Sequence, residues 1–190
     1  MKNILWDFDG VILDSQLVRD RGFSEIFKAY PSDKVELLLE YHHQNGGLSR
    51  YVKIRYFYEK ILGLSITDKK VKKYAILFST VMRKYLINKD LLITDSLSFI
   101  KDNYNKYNFF IVSGSDQKEL RFLCKELEIN QFFHSIHGSP TPKNRLIKEL
   151  LNKENYQKEE TCLIGDSIND LEAARVNGIL FFGYNNPVLK

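Results

Sequence analysis

From about residue 90 onward, strand patterns alternate with helix patterns, and this alternation restricts the fold more than any other feature of the chain. A helix over about 95–105 precedes the strand Phe109-Phe110-Ile111-Val112, which runs into Ser113-Gly114-Ser115. The next helix carries Leu120, Leu123, Cys124 and Leu127 on one face, with Asp116 and Glu119 spaced as a capping box. A short strand near 132–136, a helix over about 143–153 and the strand Thr161–Ile164 follow. The last helix starts near Ser167 and stops at Asn177-Gly178, before a final strand over Ile179–Phe182. Strands separated by single helices imply a parallel sheet covered on both faces, with its sites at the carboxyl ends of the strands.

One strand stands apart. Residues 3–9 read as the first strand, and the chain from about 15 to 87 then reads as four consecutive helices with short links. Their stripes are Val18, Phe23, Ile26, Phe27 and Tyr30, ended by Pro31; then Val35, Leu38, Leu39 and His42, stopped at Asn45-Gly46-Gly47. Tyr51, Ile54, Phe57, Tyr58 and Ile61 form the third, closed by Gly63. The fourth is Val71, Tyr74, Ala75, Phe78, Met82 and Tyr85.

The polar clusters fall at the strand ends. In "WDFDGVILDS", period-2 alternation places Asp7 and Asp9 on one side and Phe8 on the other. Carboxylates gathered in this way repel one another and lose hydration, which a divalent cation with oxygen ligands would offset. Ser113 closes the second strand, Pro142-Lys143 opens a helix, and Gly165-Asp166-Ser167-Ile168-Asn169-Asp170 follows the fourth strand. Asp166 and Asp170, four apart in a first helical turn, share a face.

In their order, "DFDGVILDS", "IVSGS", "SPTPK" and "GDSIND" resemble the four motifs of the haloacid dehalogenase (HAD) superfamily of phosphotransferases. The resemblance covers nearly the whole chain, with the helical stretch at the position of that family's type-1 cap. It implies a three-layer Rossmann-like parallel-sheet core over residues 1–14 and 88–190, with a four-helix cap domain over 15–87. The implied activity is Mg²⁺-dependent hydrolysis of a small phosphomonoester, a sugar phosphate or a phosphoglycolate-like metabolite, through an aspartyl phosphate. A phosphomutase of the β-phosphoglucomutase type is the alternative. A receiver-like signalling domain and a non-catalytic binding protein are set against these by the helical insertion and the intact motif set.

Carried over by position, Asp7 is the nucleophile and Asp9 the general acid and base. The resemblance implies that Asp7 and Asp166 would bind Mg²⁺ by carboxylate and Asp9 by its backbone carbonyl, while Asp170 would support the metal shell and Lys143. By the same resemblance, Ser113 and the Gly114 amide would hold phosphate oxygens. The physical chemistry agrees, because phosphoryl transfer needs in-line positioning and neutralised equatorial oxygens. The second aspartate argues against dehalogenation. Val11 stands where many phosphatases of the family have threonine, and Asp14 reads as local structure.

Other features have plainer readings. The stretch "GGLSRYVKIRYFYEK" reads as an amphipathic helix with core aromatics rather than an RNA-binding surface. Within it, Arg50 follows a Gly-Gly break and is either a substrate contact or a surface charge, with Lys53 a weaker candidate contact; Arg19 and Arg21 could also face the site but read more readily as solvated. His42-His43 and His134/His137 lack further ligands for zinc, and Trp6 reads as core. Cys124 and Cys162 fit buried thiols. A net charge of +4 with scattered lysines suits small anions better than nucleic acid. No run resembles a signal peptide or a membrane span, so the expectation is a cytoplasmic protein with a small phosphorylated substrate and no obligate protein partner.

Overall fold

The computed structural model describes residues 1–189. Five parallel strands form one sheet in the order β3-β2-β1-β4-β5. They are β1 (Asn3–Trp6), β2 (Asn108–Asp116), β3 (Ser135–Ser139), β4 (Thr161–Gly165) and β5 (Leu180–Gly183). The early strand lies at the centre: Trp6 pairs with Ile111 on one side and Ile164 on the other.

Alternation along each strand separates two apolar layers. Leu5, Phe110, Val112 and Leu163 face α7 (Lys143–Glu154) and α8 (Ile168–Asn177), where Ile147, Leu150 and Ala174 cover them. Ile4, Trp6, Phe109, Ile111 and Cys162 face the opposite way, toward α5 (Thr94–Asn103) and α6 (Gln117–Glu126). This is the α/β three-layer arrangement that the strand–helix rhythm implies.

Between β1 and α5 the chain forms α1 (Gln16–Ile26), α2 (Ser32–Gln44), α3 (Arg50–Tyr56) and α4 (Asp68–Tyr85). The third helical stripe is not a single α-helix: α3 gives way to a π turn over Phe57–Ile61 before Gly63. That wider turn buries the consecutive residues Phe57 and Tyr58 together. Phe27 packs against Phe57 with ring centroids 4.2 Å apart, and Phe23 against Phe78 at 4.5 Å. The apolar layer on this side of the sheet is continuous with the interior of the four-helix bundle.

Three strand boundaries differ from expectation: β2 runs on past Ser113 to Asp116, and two others shift as well. β3 begins at Ser135, because Asn130–Phe132 form a 3₁₀ turn that drops Phe133 into the core. β1 ends at Trp6, well short of residue 9. The Phe8 carbonyl accepts hydrogen bonds from the amides of both Ile12 and Leu13, which turns the chain back on itself. Gly10 sits in this turn at φ +77°, and a Cβ there would stand 2.0 Å from an Asp166 carboxylate oxygen. Glycine is required at this position twice over.

Candidate active site

Because β1 stops at Trp6, strand alternation does not set the directions of Asp7 and Asp9. The two carboxylates are held by different partners and do not form the parallel pair that strand alternation implies. The Asp7 amide donates to the Ile164 carbonyl on β4 (2.9 Å), which carries its side chain to the sheet's carboxyl edge. There Asp7 Oδ1 lies 2.8 Å from Lys143 Nζ, which also contacts Asp170 Oδ1. Lys143 begins α7, as the break at Pro142 predicts.

Asp170 is fixed from behind. Its Oδ2 accepts from the Ser167 amide (3.1 Å) and hydroxyl (2.7 Å), while the Ser167 hydroxyl accepts from the Asp170 amide. The capping box in this chain therefore belongs to α8. Asp7, Asp166 and Asp170 each offer an oxygen within 4.8 Å of one another. Burial and the neighbouring Asp170 charge raise the Asp7 carboxyl despite Lys143, and the same two causes push Asp166 up to about 6. Three carboxylates here share one ammonium, and all their donors are hard oxygens. This set fits a divalent cation of the Mg²⁺ or Ca²⁺ kind, whose charge would offset the repulsion.

Asp9 belongs to a second cluster. It accepts from Arg19 Nε (3.0 Å) and Nη2 (2.9 Å), from the Ser115 hydroxyl (2.5 Å) and from the Ser15 hydroxyl. Burial alone would raise its carboxyl, but the Arg19 charge and these hydrogen bonds bring it down to about 2. Arg19 passes the contact onward. Its Nη1 donates to Glu119 Oε1 at 2.6 Å, and Arg50 donates to both oxygens of the same carboxylate, at 2.6 and 2.7 Å. Glu119, on α6, is 0% exposed.

Several sequence expectations change accordingly. Arg19 is not solvated but buried, and it joins Asp9 to Glu119. Glu119 does not return to cap α6; Asp116 alone accepts from the Lys118 and Glu119 amides. Arg50 is 4% exposed, so it is no surface charge; its guanidinium also donates to the Ser79 hydroxyl and lies over the Phe78 ring. Arg21 remains at the surface against Tyr85, and Trp6 is core. The Asp14 side chain is exposed, while its amide ties the turn to the Leu91 carbonyl. His43 pairs with Asp20, and His137 meets the Ser135 hydroxyl. Cys124 and Cys162 are buried free thiols.

Sequence reasoning missed Ser15, Ser115 and Glu119 as parts of the site. Glu119 left a readable signal: it lies in line with Leu123 and Leu127 on the buried stripe of α6, where an acidic residue needs a partner.

The clusters border one cavity of about 370 Å³ between the sheet's carboxyl edge and the helical bundle. Asp7, Ser113, Gly114 and Asp166 line it from the sheet side, and Arg50 and Lys53 from the bundle side. The α2–α3 link closes over it. A Cβ on Gly114 would stand 2.3 Å from the Gly47 carbonyl oxygen, and one on Gly47 would stand 2.7 Å from Ser167 Oγ. No side chain larger than hydrogen fits either place with the link seated.

Residues 4–184 match the family model of haloacid dehalogenase-like hydrolases. A search of curated protein sequences finds no match. Among solved structures, a β-phosphoglucomutase from Clostridium difficile superposes with a TM-score of 0.77 at 14% identity, covering 100% of this chain and 86% of its own. A predicted phosphoglycolate phosphatase from Haemophilus somnus gives 0.73 at 18% identity, covering 96% and 84%. A HAD-hydrolase from Bacillus subtilis, described as bound to magnesium, gives 0.67 at 16%, covering 97% and 88%. The carboxylate–lysine cluster at the sheet's edge sits within this matched span, and the chain belongs to the haloacid dehalogenase-like hydrolase family of enzymes.

Proposed function

We propose that this enzyme hydrolyses a small phosphomonoester in a Mg²⁺-dependent reaction that passes through a phosphorylated Asp7. The observation that carries the reading is the placement of Asp7 beside Lys143, Asp166 and Asp170 at the edge of a cavity between the sheet and the helical bundle. Asp7 and Asp166 would hold Mg²⁺ by carboxylate and Asp9 by its carbonyl, and the ion would supply positive charge against the phosphoryl oxygens. The B. subtilis relative supports the choice of metal.

In this proposal a carboxylate oxygen of Asp7 attacks phosphorus in line with the leaving alkoxide. Lys143 neutralises charge on that side, with Asp170 orienting its ammonium. Ser113 and the Gly114 amide receive the transferring oxygens, and Arg50 borders the leaving-group side of the cavity. Asp9, as Arg19 holds it, is ionised. That state suits the second half-reaction, in which Asp9 takes a proton from the water attacking the aspartyl phosphate. Protonating the leaving group requires Arg19 to loosen its grip first.

Residues 15–87 act in this reading as a cap over a core built from 1–14 and 88–190. Among the described residues no helix is long and apolar enough to cross a membrane. The free buried thiols support a cytoplasmic setting. The test is phosphate release from a panel of sugar phosphates, phosphoglycolate and nucleotides, with and without Mg²⁺. The likeness to β-phosphoglucomutase keeps one alternative, a mutase that returns the phosphoryl group to sugar. Conversion of a sugar phosphate to its isomer without net phosphate release would select it.

A further inference from the structure

We propose that Lys53, braced by His42, seats a second anionic group carried on the alcohol portion of the substrate; this rests on the phosphomonoesterase reading. Lys53 belongs to α3, on the bundle side of the cavity, while the phosphoryl-facing residues Asp7 and Ser113 belong to the sheet side. A phosphoester bound at the sheet edge presents its alcohol portion to the bundle.

The charge pattern singles out this lysine. Arg19 and Arg50 share Glu119, and Arg19 also holds Asp9. Lys143 is matched by Asp7 and Asp170. Lys53 is as deeply buried as any of these, at 2% exposed, yet its amine meets only neutral acceptors. These are His42 Nδ1 at 2.7 Å and the Gly46 carbonyl at 3.3 Å, and Lys53 forms no ion pair among the described residues.

His42 cannot supply the missing charge. Against a Lys53 ammonium its Nδ1 can only accept, which leaves the proton on Nε2, and burial together with the Lys53 charge holds the ring neutral, with its pKa near 2. Burial and the charges of Arg19 and Arg50 pull the Lys53 ammonium down to about 7 against the opposing pull of Asp9. A buried cation of this kind is costly to keep unless something negative meets it. The cavity it borders is of the size that takes small metabolites. A carboxylate and a second phosphate share the required chemistry.

Matched ester pairs separate these sources. kcat/KM is compared for phosphoglycolate against ethyl phosphate, and for fructose 1,6-bisphosphate against fructose 6-phosphate, in wild type and Lys53→Met. The wild type should favour the anionic member of at least one pair about 10-fold or more, the order expected of a charge-assisted contact. Preference in the first pair identifies a carboxylate and in the second a phosphate. In Lys53→Met the ratio should fall to near one. A wild-type ratio near one in both pairs, or a ratio that survives in Lys53→Met, overturns the proposal. If Lys53→Met does not fold, Lys53→Gln carries the same comparison, and the wild-type ratio stands as a test by itself. Absence of phosphate release from every ester, p-nitrophenyl phosphate included, overturns the hydrolase reading and this inference with it. Release without anion preference overturns only the inference.

Discussion

Arg50 and Glu119 form a two-pronged ion pair between the helical bundle and the sheet layer, with both carboxylate oxygens engaged at 2.6 and 2.7 Å. Arg19 joins the same carboxylate and extends it to Asp9. One buried glutamate thus ties α1 and α3 to α6, directly behind a residue of the site. Glu119→Gln leaves two guanidiniums short of a charge, and removing one partner of a buried pair costs about 3–5 kcal/mol. Urea unfolding should show a loss of this order. The double variant Glu119→Gln/Arg50→Met should lose less than the sum of the single variants, because the three charges act together.

Gly114 and Gly47 touch backbone to backbone, so Gly114→Ala should push the α2–α3 link away from the sheet edge. Displacements near 1 Å at a reacting centre can cost on the order of 100-fold in rate. Steady-state kinetics on the best substrate of the panel should show a fall in kcat/KM of that order, with the far-ultraviolet circular dichroism unchanged.

Chelation should abolish phosphate release, and Mg²⁺ should restore it. Ca²⁺ should inhibit, because it accepts more ligands at longer distances and can draw both oxygens of Asp7 away from attack. Assays in EDTA, then with each ion added back, check this.

The grip of Arg19 on Asp9 sets a pH dependence of stability. The Asp9 carboxyl lies at about 2 in the fold against an ordinary value of 3.8, so the unfolded chain binds its proton more readily. Ionised Asp9 therefore stabilises the fold fully above pH 3.8, and the contribution is lost as pH falls from there toward 2. The shift corresponds to about 2 kcal/mol. Denaturant titrations between pH 2 and 5 should show Asp9→Asn with a shallower acid limb than wild type by about this amount.

The alternation after residue 90 was enough to read the sheet and its covering helices, because buried parallel strands and amphipathic helices carry different periods. The four bundle helices were equally legible from their stripes. The residues of the second cluster were not. Whether Arg19 is solvated depends on Glu119, which lies a hundred positions away in sequence and on another layer. The end of β1 was also hidden, since Asp7-Phe8-Asp9 keeps strand alternation while the Phe8 carbonyl already bonds to Ile12 and Leu13. Lys53 and Arg50 lie on the same helix stripe as Ile54 and Phe57, so their burial was readable, but the partners of each were not.

If Asp7 is the nucleophile, the phosphoryl group passes to its carboxylate during turnover. Enzyme mixed with substrate and quenched during turnover, then reduced with borohydride, converts an aspartyl phosphate to homoserine, which peptide mass spectrometry locates. Homoserine at position 7 is expected in wild type, together with loss of all Mg²⁺-dependent phosphate release in Asp7→Asn. Unmodified Asp7 during active turnover, with release persisting in Asp7→Asn, would contradict the account.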